Sequence, residues 1–235
     1  MGMANAAIAR FRATCAAAGF DLIQPFSTSW CSNDPQTQLP SCGRPGALAA
    51  LVGNTRALWP LFLDDLRRHP ERLERENAID AYAEERITAA ATAAAIPFEI
   101  RWAHDMRAPI LAIQRLAHLV GMAWLSPANI CIHPRFGPWI GLRAAVVFDL
   151  DASASSAPDL SDPCGACTRT CLPAFAVAQC DTRLASNWRA WLAVRDACPL
   201  GRAHRYDDDQ ILYHYTKDRD ILRRAVAAAG ITAGT

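Results

Sequence analysis

The chain has 235 residues, half of them apolar, and its 24 Lys and Arg nearly cancel its 23 Asp and Glu to a formal charge of +1. Such neutrality gives no electrostatic case for nucleic acid or an anionic membrane as partner. No apolar run reaches the roughly 18–20 residues that cross a bilayer, and Arg10 and Arg12 interrupt the alanines where a signal core would lie, so a cytosolic protein of one domain with an appendage is expected.

Ile8, Phe11, Cys15 and Ala18 recur at helical spacing, and Gly19 stops that helix. The polar, proline-rich stretch from Ser27 to Pro45 reads as a long loop. Ala47 to Val52 is predicted as a buried strand ending in the Gly53–Asn54–Thr55 turn. A helix follows with Leu58, Leu61, Phe62 and Leu66 on one face. Another, from Glu76 to about Ala94, carries Ile79, Tyr82, Ala83, Arg86, Ile87 and Ala90 along one stripe. Pro97 to Trp102 is a second strand, and Pro109 is placed at the start of a helix whose one side holds Ile110, Ile113, Gln114, Ala117, Val120, Gly121 and Trp124.

Ile130–His133 and Trp139–Leu150 read as two strands joined by a Pro-Arg-Phe-Gly-Pro turn. The Ser-, Ala- and Asp-rich stretch from Asp151 to Asp162 is a linker. Helices are expected at Asp207–Tyr215, with three acids facing the helix dipole, and at Asp218–Ala229. The patch of His204, Tyr206, Tyr213, His214 and Tyr215 reads as packing beneath them. Helices and strands interleave without regular alternation, and neither a dinucleotide fingerprint nor a phosphate loop is present, so a mixed α+β sandwich is favoured over a doubly wound sheet.

Nine cysteines is an odd and high number for a protein of a reducing compartment, where they are buried, metal-bound or redox-active. Cys15, Cys31, Cys42 and Cys131 are isolated, whereas Cys164, Cys167, Cys171, Cys180 and Cys198 crowd one stretch. The first three of these are spaced by two and three residues, with Pro173 displaced by one from the ferredoxin pattern, and Cys180 or Cys198 can supply a fourth thiolate. An iron–sulfur cluster, structural zinc, a redox dithiol at Cys164 and Cys167, and metal-free packing all stay open.

The most distinctive block is Cys131–Ile132–His133–Pro134–Arg135–Phe136–Gly137–Pro138–Trp139–Ile140–Gly141–Leu142–Arg143. By physics alone it is a stiff reversal, with Arg135 satisfied by a nearby carboxylate. It resembles the His-Pro-Arg-Phe-Gly-Gly-Trp signature of the cobalamin C-type processing proteins, with Pro138 in place of the second glycine. Pro109, Gln114, His118 and Gly121 fall at that family's spacing. Weaker matches are Trp188–Arg189–Ala190–Trp191 with Arg195–Asp196 and Tyr206–Gln210, and the Ala47–Val52 strand with Asn54–Thr55. Together they span residues 47 to 215.

The resemblance implies a nitroreductase-like sandwich with a central, mainly antiparallel sheet flanked by helices. The implied activity is reduction of cyanocobalamin or dealkylation of alkylcobalamins. Leu111, Ala112, Ile113, Gln114, Ser126, Cys131 and Leu142 would contact the cobalamin, and His118 would line its pocket. As a lone histidine on an apolar face, His118 equally fits a hydrogen-bonded core role. Arg143 and Arg195 would hold glutathione, gripping carboxylates and favouring its thiolate; a third arginine falls at Arg219 or Arg223. Electrons for cyanide loss would come from reduced FMN or FAD. The cysteine run resembles a reduced form of the ferredoxin motif of epoxyqueuosine reductases, themselves cobalamin-dependent. Residues 1–160 are then expected to form the corrinoid-binding domain and 161–235 a cysteine-rich segment with helices packed on it. A homodimer and an electron-donor protein are the partners left open, and a non-catalytic corrinoid carrier is the rival reading.

Overall fold

The computed structural model describes residues 2–152, 156–181 and 184–232, so residues 153–155 of the expected linker lie outside the described residues. In chain order the elements are α1 (Gly2–Ala17), β1 (Leu22–Ser27), β2 (Ala47–Asn54), α2 (Leu58–Arg68), α3 (Ala78–Ala93), β3 (Phe98–Trp102), α4 (Ile113–Leu119), β4 (Trp124–Leu125), β5 (Cys131–Ile132), β6 (Gly141–Asp151), α5 (Cys171–Gln179), α6 (Leu184–Asp196), α7 (Asp208–Thr216) and α8 (Arg219–Thr232). Strands pair in the order β1-β2-β6-β3, every neighbour antiparallel, while β4 and β5 form a separate two-stranded ribbon.

Strand alternation explains the layering. Leu48, Ala50 and Val52 of β2, with Ala144, Val146 and Phe148 of β6, point into a core shared with α1, α2 and α3. Their neighbours Ala47, Ala49, Leu51, Ala145 and Val147 point the other way, against Leu116, Ala117 and Val120 of the α4 region and Cys131 of β5. Both faces of the sheet are thus covered, and all eight residues of β2 are buried. Tyr213, Leu222 and Ala225 of α7 and α8 join the first core, so the chain's last helices close over α2.

Several sequence expectations are corrected. The helix expected at Pro109 starts at Ile113, because the Ala112 N–H is taken by the Gln36 carbonyl at 2.8 Å and residue 112 is held outside helical geometry. It ends before Gly121, whose φ is +78°. Ile130–His133 and Trp139–Leu150 do not share a sheet: β5 pairs with β4, and β6 begins only at Gly141. β1, α5 and α6 were not foreseen, and β6 runs to Asp151, into the stretch read as linker. Pro25 masks β1 in the sequence but is tolerated there because β1 is an edge strand.

One buried charge ties this frame together. Asp65 of α2 is 1% exposed and accepts from Arg72 at 2.6 Å and Arg86 at 2.5 Å. Asp65→Asn should cost about 2–3 kcal/mol in urea denaturation, less than a fully buried pair because both arginines reach solvent. An unchanged midpoint would show that the pair contributes nothing net.

Candidate functional site

A cavity of about 330 Å3 opens where the start of α4, strand β5, the β5–β6 connection, the start of β6, and the ends of α6 and α7 converge. Ile113 and Gln114 reach it from α4, Cys131 from β5, Leu142 and Arg143 from β6, and Arg195 from the last turn of α6. Six of the residues expected at the site are therefore brought together. Leu111 is instead buried in the second core and Ala112 is strapped to Gln36. His118 accepts the Leu125 N–H on Nδ1 at 3.4 Å and meets Trp124 edge-on at 4.7 Å, which is the hydrogen-bonded core arrangement. Ser126 lies in a different hollow, with the cysteines.

The connection owes its rigidity to His133. Its Nδ1 accepts N–H groups from Arg135 at 3.1 Å and Phe136 at 3.3 Å, while His133 and Gly137 exchange backbone bonds of 2.9 Å. Burial lowers the pKa of His133, which keeps the ring neutral and that nitrogen free to accept. Arg135 is exposed and stacks over Phe136 at 5.1 Å; among the described residues no carboxylate pairs with it, contrary to expectation.

Across the cavity, the Asn54–Thr55 turn fixes Arg143. Asp21 accepts from the Thr55 amide at 2.7 Å and its hydroxyl at 2.6 Å, and buried Asn54 in turn accepts the Arg143 Nε–H at 2.7 Å. Asp80 of α3 lies 3.4 Å from the same guanidinium. Arg195 has no ion-pair partner among the described residues; its neighbour Asp196 pairs with Arg205 instead. Lys217, at the left-handed C-cap of α7, is a third cation on the wall that the sequence did not reveal. Tyr206, His214 and Tyr215 also line the cavity, although their spacing suggested packing.

Burial first, and neighbouring charge second, sets the protonation states. Burial, then Arg143, Lys217 and Arg195, holds His214 well below the ordinary histidine range, so it is neutral. Burial lowers Lys217 and Arg143 as well, and Asp80 opposes the fall in both. Burial pushes the Cys131 thiol up to about 12 despite Arg195 nearby, so Cys131 is a protonated wall residue, not a nucleophile. Its S–H donates to the Gln114 carbonyl at 3.5 Å. A cavity with three converging cations and one carboxylate behind them is arranged to accept an anion.

His214 makes this visible as a pH dependence. Its folded pKa lies below the unfolded value of about 6.5, so below that pH the unfolded chain binds the extra proton. Stability should hold above pH ~6.5 and fall below it by up to about 1.4 kcal/mol per pH unit. Urea midpoints from pH 5 to 8 should slope less steeply for His214→Gln; equal slopes would count against the assignment.

A second, much smaller hollow of about 20 Å3 lies on the other side of β5. Cys164, Cys167, Cys171 and Cys198 line it, together with Ile132, Leu172 and Pro199. Cys180 does not: it is exposed and its thiol donates to the Ala176 carbonyl. All nine cysteines are free thiols. No three His, Cys, Asp or Glu side chains among the described residues are grouped to hold a metal ion.

An antiparallel four-stranded sheet between helical layers, with its cavity at the junction of the sheet and the β5–β6 connection, is a nitroreductase-like α+β sandwich. The B12-trafficking protein CblC of C. elegans, a human MMACHC homologue, has this fold: its crystal structure superposes with a TM-score of 0.69 over 96% of this chain and 97% of that chain, at 15% identity. Epoxyqueuosine reductase from Bacillus subtilis aligns with a TM-score of 0.49 over 94% of this chain and 80% of that chain, at 11% identity. No protein-family model matches the chain, and no curated protein matches it in sequence. No helix among the described residues is long and apolar enough to cross a membrane.

Proposed function

We propose that this protein binds a cobalamin at the mouth of the cationic cavity and removes its upper axial ligand. The observation that carries the reading is the meeting of Ile113 and Gln114 with Cys131, Leu142, Arg143 and Arg195 around one cavity. That the fold is shared with a B12-trafficking protein agrees with it. A corrinoid with its nucleotide tail is too large for about 330 Å3, so the ring rests at the opening and the cavity takes the smaller reactant. Met106 and Ile110, exposed at 71% and 49% on the segment leading into α4, offer an apolar rim for the ring.

Two ligand removals fit. A glutathione thiolate attacks the alkyl carbon, forming a thioether while the cobalt–carbon electron pair stays on cobalt, which falls from Co(III) to Co(I). Alternatively one electron, from reduced FMN or FAD, reduces Co(III) to Co(II) and cyanide leaves with its bonding pair. Arg195 and Arg143 would hold the carboxylates of the thiol and favour its thiolate form. The protein's own Cys131 stays protonated, so the nucleophile comes from outside.

The test is spectroscopic. Mixed with cyanocobalamin or methylcobalamin, the protein should shift the spectrum to the base-off form. Glutathione should then consume methylcobalamin, and reduced flavin should release cyanide. Absence of both a spectral shift and binding heat would overturn the reading; binding without turnover would make the protein a carrier.

A further inference from the structure

We propose that Cys164 and Cys167 are a redox dithiol that exchanges with a small anionic disulfide of the glutathione disulfide class. The Cys167 N–H donates to the Cys164 carbonyl at 3.3 Å, and a bond of that spacing closes a β-turn. The ends of a β-turn lie within about 7 Å of each other, and a disulfide joins Cα atoms about 4.4–6.8 Å apart. This pair can therefore be oxidised with little movement of the backbone. Asp162 fixes the start of the turn, its Oδ1 accepting the Cys164 N–H at 2.7 Å. Beyond the turn, the Thr170 hydroxyl donates to the Ala197 carbonyl at 2.7 Å and pins the segment beside Cys198.

Access favours the same pair. The hollow behind the turn has only about 20 Å3 of room, so a disulfide must meet the thiols from the solvent side. Cys164 and Cys167 are both half-buried there, and Gly165 and Ala166 between them are exposed. Cys171 and Cys198 line the hollow too, but Cys198 is buried. No backbone turn among the described residues closes either of them onto Cys164 or Cys167.

The two sulfurs are not equivalent. Arg169 adopts left-handed backbone, φ +57°, and so aims its N–H at the Cys167 sulfur at 3.3 Å. Burial, then Asp162 and the thiols of Cys171, Cys167 and Cys198, pushes the pKa of Cys164 up. The order of attack follows. The Cys167 thiolate attacks one sulfur of the disulfide, forms a mixed disulfide and releases one thiolate. Cys167 then carries no charge, which lifts one of the repulsions that keep Cys164 protonated. The Cys164 thiolate attacks the Cys167 sulfur and releases the second thiolate. Two protein thiols are oxidised, one disulfide bond is reduced, and the two thiol protons pass to the products.

Charge around the turn selects an anionic partner. Arg169 lines the hollow, and Arg202 is near enough to act on Cys198. Both are exposed, and neither has a carboxylate at ion-pair distance among the described residues. Their guanidinium groups are free to take the carboxylates of glutathione disulfide. The thiol released is of the class that the cavity across β5 is proposed to consume. That link rests on the corrinoid reading, whereas the exchange itself needs no corrinoid.

The full chain, reduced, desalted and free of cobalamin, is mixed with glutathione disulfide, quenched in acid, alkylated and mapped by peptide mass. Cys164 and Cys167 should be found in one disulfide, and excess glutathione should return both as thiols. Cys164→Ser should stop at one glutathionyl group on Cys167. Cys167→Ser should lose the fast reaction, while Cys180→Ser reacts as the parent does. Arg169→Met should slow the reaction with glutathione disulfide roughly 3- to 10-fold and leave that with uncharged hydroxyethyl disulfide unchanged. Circular dichroism of each variant separates lost chemistry from unfolding. A disulfide from Cys171 or Cys198 to either residue, a lasting glutathionyl group on the parent chain, or an undiminished rate in Cys167→Ser would overturn the pair. An Arg169→Met chain that does not discriminate between the two disulfides would overturn the anionic class. Failure of cobalamin binding would leave all of these outcomes unmoved.

Discussion

Arg195→Met should lower kcat/KM for glutathione-dependent dealkylation by roughly 30- to 100-fold, the equivalent of one lost charged hydrogen-bond pair at about 2–3 kcal/mol. Stability should barely move, because the guanidinium has no ion-pair partner among the described residues and its neighbour Asp196 is already committed to Arg205. Its place in the last turn of α6 is favourable to the helix dipole, which limits the structural loss to about 0.3–1 kcal/mol. Arg195→Lys should recover the charge but not the two-pronged grip, and so only part of the rate. Arg143→Met should behave differently. Its Nε bond to Asn54 and its contact with Asp80 are both lost, leaving a largely buried carboxylate with only Asn77 and the Lys217 charge to compensate it, at a cost of about 2 kcal/mol. Adding Asp80→Asn to Arg143→Met should restore much of the stability and none of the rate. Undiminished glutathione turnover in Arg195→Met would remove this arginine from the thiol site.

Much of the fold was legible because its core obeys strand periodicity. The Ala47–Val52 run and the long β6 segment read as strands from composition, and α3, α7 and α8 from their stripes and end signals. What stayed hidden depended on contacts distant in sequence. β1 carries Pro25 and is held by pairing with β2 alone. α5 and α6 are a helical pair whose small core needs Ala128 from another segment, and α6 is kinked at Asn187. The site shows the same division. Gln114, Cys131, Leu142, Arg143 and Arg195 were picked out by motif, and the cavity joins them. Lys217 and His214 were not, since nothing in a Tyr-His-Tyr-Thr-Lys helix end says that it closes over a cavity whose far wall is built from α4, β5 and β6, much earlier in the chain. The ambiguity between Cys180 and Cys198 has the same origin: helix α5 turns Cys180 outward, and only the return of α6 brings Cys198 back.

That return is held by a crossing of two backbones, where the largest loss of stability is expected. Gly137 in the β5–β6 connection and Gly201 after Cys198 lie at φ +57° and +69°. A Cβ on Gly137 would meet the Leu200 carbonyl oxygen at 2.2 Å, and one on Gly201 would meet the Phe136 oxygen at 2.2 Å. Each obstacle is backbone, so neither can swing aside as a side-chain tip would. Gly137→Ala and Gly201→Ala should each cost about 3 kcal/mol or more, combining the left-handed penalty with forced separation of the two backbones. Gly43 supplies the control: its φ is +73° but nothing lies within 4 Å of an added Cβ, so Gly43→Ala should cost only about 1 kcal/mol. Because the crossing joins the connection that walls the cationic cavity to the segment that carries Cys198, both alanine variants should also weaken cobalamin binding. Equal denaturation midpoints for all three variants would mean that the crossing adds nothing beyond backbone handedness. The two hollows would then be neighbours without being mechanically joined.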